Sequence, residues 1–108
     1  GTPRREFLHV DDLGNAALFL MENYHSDEII NIGWGEDVSI RELAEIIKEV
    51  VGYQGRLVFD TSKPDGMPQK LLDISRLRQL GWQPQISLRE GVESTYRWFL
   101  ENYGQVRQ

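Results

Sequence analysis

Ser39-Ile40-Arg41-Glu42-Leu43-Ala44-Glu45-Ile46-Ile47-Lys48-Glu49-Val50-Val51-Gly52 is the stretch from which the rest of the chain is read. Ser39 with Glu42 three residues later is a capping box, in which each side chain satisfies a backbone N–H that the first helical turn leaves unpaired. Ile40, Leu43, Ala44, Ile47, Val50 and Val51 then recur on one face. Gly52 ends the run with a residue free to adopt the left-handed conformation. An amphipathic helix of this kind must lay its apolar stripe on a second layer of structure.

Working outward from it, the same signals recur. Ser87 and Glu90 form a second capping box, followed by Leu88, Val92, Tyr96, Phe99 and Leu100 on one face to about Tyr103. Leu13, Ala16, Ala17, Leu20 and Tyr24 predict a helix to about Tyr24, with Asp11 or Asp12 as its N-cap. Asp73 is expected to cap a short helix through Leu77 and Leu80, closed by Gly81. Three short strands are expected, at Arg5 to Val10, Ile29 to Ile32 and Arg56 to Phe59, with a turn at Gly33-Trp34-Gly35. Gly104 to Gln108 is expected to fray. Short strands separated by helices predict an α/β unit, a small three-layer-like arrangement of short strands and about four helices, with partly parallel pairing.

The 108 residues suffice for one domain, and 40% of them are hydrophobic, enough for a single core. Cysteine is absent, which excludes disulfides and thiolate-metal sites and fits a cytoplasmic protein. The net charge of -5, with scattered basic residues, argues against a nucleic-acid or anionic-membrane partner. No apolar run reaches the roughly 20 residues that a bilayer span needs. The chain opens on Gly1 rather than methionine and runs at once into a strand pattern, so a piece of a longer polypeptide is expected.

Two segments have the composition of a ligand site. In Pro3-Arg4-Arg5-Glu6-Phe7-Leu8-His9-Val10-Asp11-Asp12-Leu13 a strand leads straight into a helix. An arginine at the strand's entry can point into a cleft and grip a phosphate bidentately, or simply be a surface arginine. In Lys63-Pro64-Asp65-Gly66-Met67-Pro68-Gln69-Lys70 two prolines stiffen a loop, Gly66 permits a positive φ, and two lysines flank a carboxylate. That loop can offer cations to a phosphate and an acceptor to sugar hydroxyls, or be a turn with solvated charges.

Other candidates are weaker. Gly33-Trp34-Gly35 lacks the third glycine of a dinucleotide fingerprint and reads as a plain turn, with Trp34 in the core or at a cleft edge. His9 and His25 have no partner at metal-ligand spacing, and no metal site is expected. Asp11, Asp12, Asp73 and Glu90 sit where caps are needed. There is no Gly-x-x-Gly-x-x-Gly loop. Tyr24, Tyr53, Tyr96 and Tyr103 are followed four residues later by Glu28, Leu57, Leu100 and Arg107, so the Tyr-x-x-x-Lys pair of short-chain dehydrogenases is missing. No catalytic residue is expected in this chain.

Taken together, the segments resemble one family. Arg4 to Leu13 is similar to the R-x-F-x-H-V-x-D segment of extended short-chain dehydrogenases that act on nucleotide sugars. Lys63 to Asp73 is similar to the K-P-D-G-x-P-R-K-x-x-D loop of the GDP-L-fucose synthases. Leu80-Gly81-Trp82-x-Pro84 and Trp98-Phe99-Leu100-Glu101-Asn102 resemble the tail of the same enzymes. Two departures stand out: Gln69 lies where an arginine is common, and Trp34 where a small residue is common.

The resemblance implies that residues 1–108 are the C-terminal substrate-binding domain, preceded by a Rossmann domain that holds NADP(H) with the Ser-Tyr-Lys set. A cysteine and a histidine upstream would serve C3/C5 epimerisation. The implied substrate and product are GDP-4-keto-6-deoxy-D-mannose and GDP-L-fucose. By motif matching, Arg5 would contact the GDP diphosphate, Asp65 would accept hydrogen bonds from the substrate, and Lys70, with Lys63, would add positive charge. The full enzyme is expected to be a homodimer. This piece is expected to be a monomer, inactive and without cofactor by itself. The alternatives are the C-terminal domain of another nucleotide-sugar epimerase or dehydratase, or a non-catalytic interaction module.

Overall fold

The computed structural model describes residues 1–105. Four helices carry most of the regular secondary structure: α1 (Val10–Asn23), α2 (Ile40–Val51), α3 (Ser75–Gln79) and α4 (Leu88–Asn102). A 3-10 turn, Tyr103–Gln105, follows α4. Both capping boxes form, Ser39 with Glu42 at α2 and Ser87 with Glu90 at α4. Gly52 closes α2 in the left-handed region at φ 78°. The first-turn amides of α2 also find acceptors in the chain's opening residues: Ile40 N–H donates to the Pro3 carbonyl and Arg41 N–H to that of Gly1.

The strands lie elsewhere than the apolar runs predict. The sheet is built from three two-residue strands, β1 (Arg4–Arg5), β2 (Val38–Ser39) and β3 (Gln69–Lys70), in the order β2-β1-β3. The β1–β2 pair is antiparallel and the β1–β3 pair parallel. Only the start of the expected strand at Arg5 to Val10 pairs; α1 already begins at Val10. Ile29 to Ile32 and Arg56 to Phe59 are not strands, because no ladder partner lies beside them among the described residues. Ile30 and Ile32 pack on the core instead. Phe59 lies under the guanidinium of Arg41, 4.4 Å from the ring centre.

The N-cap of α1 is His9, not Asp11 or Asp12: its Nδ1 accepts the Asp11 N–H at 3.0 Å. Asp12 is released for a longer-range task. It is 2% exposed, and its carboxylate accepts the backbone N–H groups of Gln85 and Ile86, where the chain enters α4. Asp73 stands two residues before α3 and accepts the Ser75 N–H at 2.9 Å, so it caps from one position further out than expected. Gly66 is not at a positive φ; Gly35, Gly52 and Gly81 are.

The core is Ala16, Leu77 and Trp82, with Leu8, Phe19, Leu20, Ile30 and Ile32 packed around it. It joins α1 to α3, and Trp82 Nε1 donates to Asn15 Oδ1 at 2.9 Å at its edge. The second contact layer is α2 against α4, pinned at one point by Arg89 and Glu49 at 2.8 Å. Between these helices and the segment Phe7–Val10 an apolar trough of about 650 Å³ stays open. The radius of gyration, 16.6 Å, exceeds the roughly 13 Å of a compact domain of this length. No described helix is long and apolar enough to cross a membrane.

Candidate functional site

The sheet brings together the two segments that the sequence singles out. In the parallel β1–β3 pair Arg4 faces Gln69 and Arg5 faces Lys70. Arg4 N–H donates to the Pro68 carbonyl at 2.8 Å, which seats the proline loop against β1. Side chains alternate across a strand, and residues in register share a face. One face therefore carries Arg4, Ser39 and Gln69, and the other Arg5, Val38 and Lys70.

The two arginines differ in what neutralises them. Arg4 Nε donates to Asp37 Oδ1 at 2.8 Å, and Arg4 Nη1 lies 3.5 Å from Glu42. The Asp37 hydrogen bond, with the attraction of its charge, holds the Arg4 pKa above its ordinary value. Asp37 is in turn held below the usual carboxylate range, first by the Gln69 amide and then by Arg4. Arg5 has no such partner among the described residues: Nη1 donates to the Arg4 carbonyl at 2.7 Å, and no carboxylate pairs with it. A half-buried guanidinium without a counter-ion suits an anion brought from outside.

Arg5 lines a narrow cavity of about 50 Å³ with Phe7, Trp34, Glu36 and Val38. Trp34 thus sits at a cleft edge. On the loop side, a Cβ at Gly66 would lie 3.5 Å from Arg5 Nη2, so the turn passes directly over the guanidinium. Lys70 is exposed beside Arg5. Lys63 and Asp65 are exposed on the same loop, and among the described residues no hydrogen bond or ion pair joins either of them to Arg5 or Lys70. The structure thus gathers Arg5, Lys70 and the Gly66 turn, and leaves Lys63 and Asp65 on the loop's outer reach.

Sequence reasoning missed Glu6. Its Oε2 accepts the Gly35 N–H and its Oε1 the Leu72 N–H, at 3.1 Å for the latter. One side chain from the end of β1 therefore ties the Gly33-Trp34-Gly35 turn to the chain after β3. A Cβ at Gly33 would lie 2.7 Å from the Glu6 carboxylate, so the first glycine makes room for it. Gly35 takes φ 90° against Ile74 and Arg78. The turn is a cradle for Glu6, not half of a phosphate loop. Only the adjacency of Glu6 to the arginine pair pointed toward it.

His9 is held by its neighbours, with Nε2 3.1 Å from Ser94 Oγ, and His25 is exposed. Among the described residues no group of three or more His, Asp or Glu side chains could hold a metal. The helix N-termini, natural seats for a pyrophosphate, are taken at α2 and α4 by Glu42 and Glu90, and at α1 by His9. These residues do not fit a dinucleotide cofactor.

Comparison with known proteins places the chain. The NAD dependent epimerase/dehydratase family model matches residues 1–33. A putative GDP-L-fucose synthase 2 of Arabidopsis thaliana is 57% identical over 108 residues, covering 100% of this chain and 33% of the plant protein. The GDP-L-fucose synthase of Escherichia coli (strain K12) is 55% identical, with 99% of this chain and 36% of that protein covered. The crystal structure of a GDP-L-fucose synthetase from Naegleria fowleri bound to NADP superposes with a TM-score of 0.93 at 35% identity, over 100% of this chain and 35% of that one. The chain spans about a third of the length of the relatives it matches.

Proposed function

We propose, from the premise that this chain is homologous along its whole length to one third of the GDP-L-fucose synthases, that it is the sugar-nucleotide-binding domain of such an enzyme. Residues 1–108 form the C-terminal domain, and the preceding polypeptide supplies the Rossmann domain for NADP(H). The intact enzyme takes GDP-4-keto-6-deoxy-D-mannose, epimerises C3 and C5, and reduces the C4 ketone with NADPH to give GDP-L-fucose. The hydride comes from the cofactor; this chain's residues bind and orient the substrate.

The observation that carries this reading is the register of Arg5 with Lys70 on one sheet face, with no carboxylate among the described residues paired to Arg5. Two cations side by side match the two charges of a pyrophosphate, one as a planar fork and one as a point charge. Asp65 and Lys63, on the loop above, serve the sugar and the outer phosphate as the loop closes. Holding the hexose in place against the nicotinamide lowers the barrier by orientation and by excluding water.

The open apolar surface supports a larger parent. Ile29 and Val58 are 88% and 78% exposed, and the α2–α4 trough is unfilled. The remaining two thirds of the polypeptide covers these surfaces in the intact enzyme. A homodimer formed through that remainder, and a cytoplasmic location, belong to the same reading. The isolated chain is then a monomer without reductase activity.

Steady-state kinetics of the full-length enzyme test it. Arg5→Ala removes a charged hydrogen bond worth about 1.5–3 kcal/mol, so KM for the GDP-sugar rises about tenfold or more while KM for NADPH holds. Lys70→Ala acts likewise and flattens the salt dependence of GDP-sugar binding. Unchanged KM and kcat in both variants would sink the assignment.

A further inference from the structure

We propose that Asp37 is a positioning residue: its carboxylate locks the three strands in the register that sets Arg5 beside Lys70. The inference rests on the anion-site reading above and concerns what holds that site in shape.

Each strand contributes only two residues. A ladder this short has few bonds with which to define its own register, and no apolar alternation to enforce it. Something else must do so. Asp37 immediately precedes β2 and points to the face of Ser39. Its Oδ1 accepts Arg4 Nε at 2.8 Å, and its main-chain carbonyl accepts Arg4 Nη2 at 3.2 Å. Its Oδ2 accepts the side-chain amide of Gln69. One carboxylate, 9% exposed, therefore reaches from β2 across the central strand to β3.

The clamp and the bare cations are two sides of one arrangement. A one-residue slip of β3 along β1 would break the Gln69–Asp37 bond. It would also turn Lys70 to the clamped face and put Gln69 beside Arg5. The clamp has a second effect. Asp37 also borders the small cavity that Arg5 lines. With both oxygens committed to Arg4 and Gln69, it is not available to neutralise Arg5. The same bonds explain Gln69: a neutral side chain suffices there, because the task is to donate to Asp37 and not to meet the ligand.

The test is GDP binding by calorimetry to the full-length enzyme, with KM for NADPH as the control. Asp37→Asn and Gln69→Leu are each expected to weaken GDP binding roughly threefold or more, as coupled network residues do, with KM for NADPH unchanged. Gln69→Arg keeps a donor to Asp37 and is expected to bind GDP as the parent does. Placed on the Arg5→Ala background, Asp37→Asn is expected to cost less than it does alone, since only the placement of Lys70 is then left to disturb. Parent-like GDP binding by Asp37→Asn, or a full multiplicative loss on the Arg5→Ala background, overturns the proposal. If Asp37→Asn does not fold, Gln69→Leu, which alters an exposed side chain, decides alone: parent-like binding overturns it. If Arg5→Ala itself binds GDP normally, the anion-site reading fails and this inference falls with it. If Arg5→Ala weakens binding and the clamp variants do not, only the positioning role is lost.

Discussion

The buried carboxylate of Asp12 accepts the backbone N–H of Ile86 at 2.9 Å, joining the first turn of α1 to the chain entering α4 across 74 residues of sequence. The Gln85 N–H donates to the same group at 3.1 Å. Neither amide has a helical partner, because both precede the Ser87 cap. Asp12→Ala leaves two partly buried donors without their acceptor, at up to about 1–3 kcal/mol each. Urea denaturation is expected to show a loss of about 2–5 kcal/mol, and a smaller loss for Asp12→Asn, which keeps one acceptor oxygen. A midpoint for Asp12→Ala equal to the parent's would refute the bridge.

The core offers a paired test. Leu77 of α3 is 0% exposed in the core shared with α1, and Leu77→Ala is expected to cost about 2–5 kcal/mol through lost burial and a cavity. Trp82→Phe loses the hydrogen bond to the exposed Asn15 and part of the buried ring, and about 1 kcal/mol or more is expected. Chemical denaturation of both variants checks the order; Trp82→Phe costing more than Leu77→Ala would show that the core is centred elsewhere.

Acid should weaken the fold in a defined window. Asp37 is held below the ordinary carboxylate range chiefly by Gln69, Glu42 by the Ser39 backbone, Glu90 by the Ser87 side chain and Asp73 by the Ser75 backbone. Each binds a proton less readily folded than unfolded. Their contribution is therefore complete above the unfolded values near about 4, and is lost as pH falls through the lower folded values. Tm is expected to be level from pH 7 to 5 and to drop below about pH 4. Glu42→Gln with Glu90→Gln should lower Tm at pH 7 and make that acid drop shallower; an unchanged drop would exclude the caps as its source.

Two glycines separate space from conformation. Gly35 sits at φ 90°, and a Cβ there would meet Ile74 Cδ1 at 2.8 Å. Gly35→Ala is expected to cost about 1–3 kcal/mol from backbone strain alone. Gly66 has no positive φ, and its Cβ would touch Arg5 at an ordinary 3.5 Å. Gly66→Ala should therefore stay within about 1 kcal/mol of the parent. Equal Tm losses at both positions would contradict the backbone described for the loop.

Local rules were readable in the sequence and long-range ones were not. Ser39–Glu42 and Ser87–Glu90 close within four residues, so the caps of α2 and α4 are written beside the helices they cap. Asp12 and Glu6 act on backbone groups that other segments deliver, Glu6 reaching Leu72 across 66 residues, and nothing beside them in the chain marks this. The strands were misplaced for the same reason. Apolar runs such as Ile29 to Ile32 look like strands, yet pairing needs a neighbour, and here the dipeptides Arg4–Arg5, Val38–Ser39 and Gln69–Lys70 have one. For the candidate site, Arg5 and Lys70 are singled out by resemblance to related segments. Their shared face depends on a parallel register that no local pattern encodes.

Arg4 and Arg5 are chemically identical, adjacent, and assigned opposite fates by strand parity alone. Substitution within the loop from Thr61 to Pro68 leaves that parity intact, whereas removing or inserting a single residue in β3 would swap which partner each arginine meets. The segment should accordingly tolerate spelling changes better than changes of length, and a deletion scan should find its sharpest boundary at Gln69.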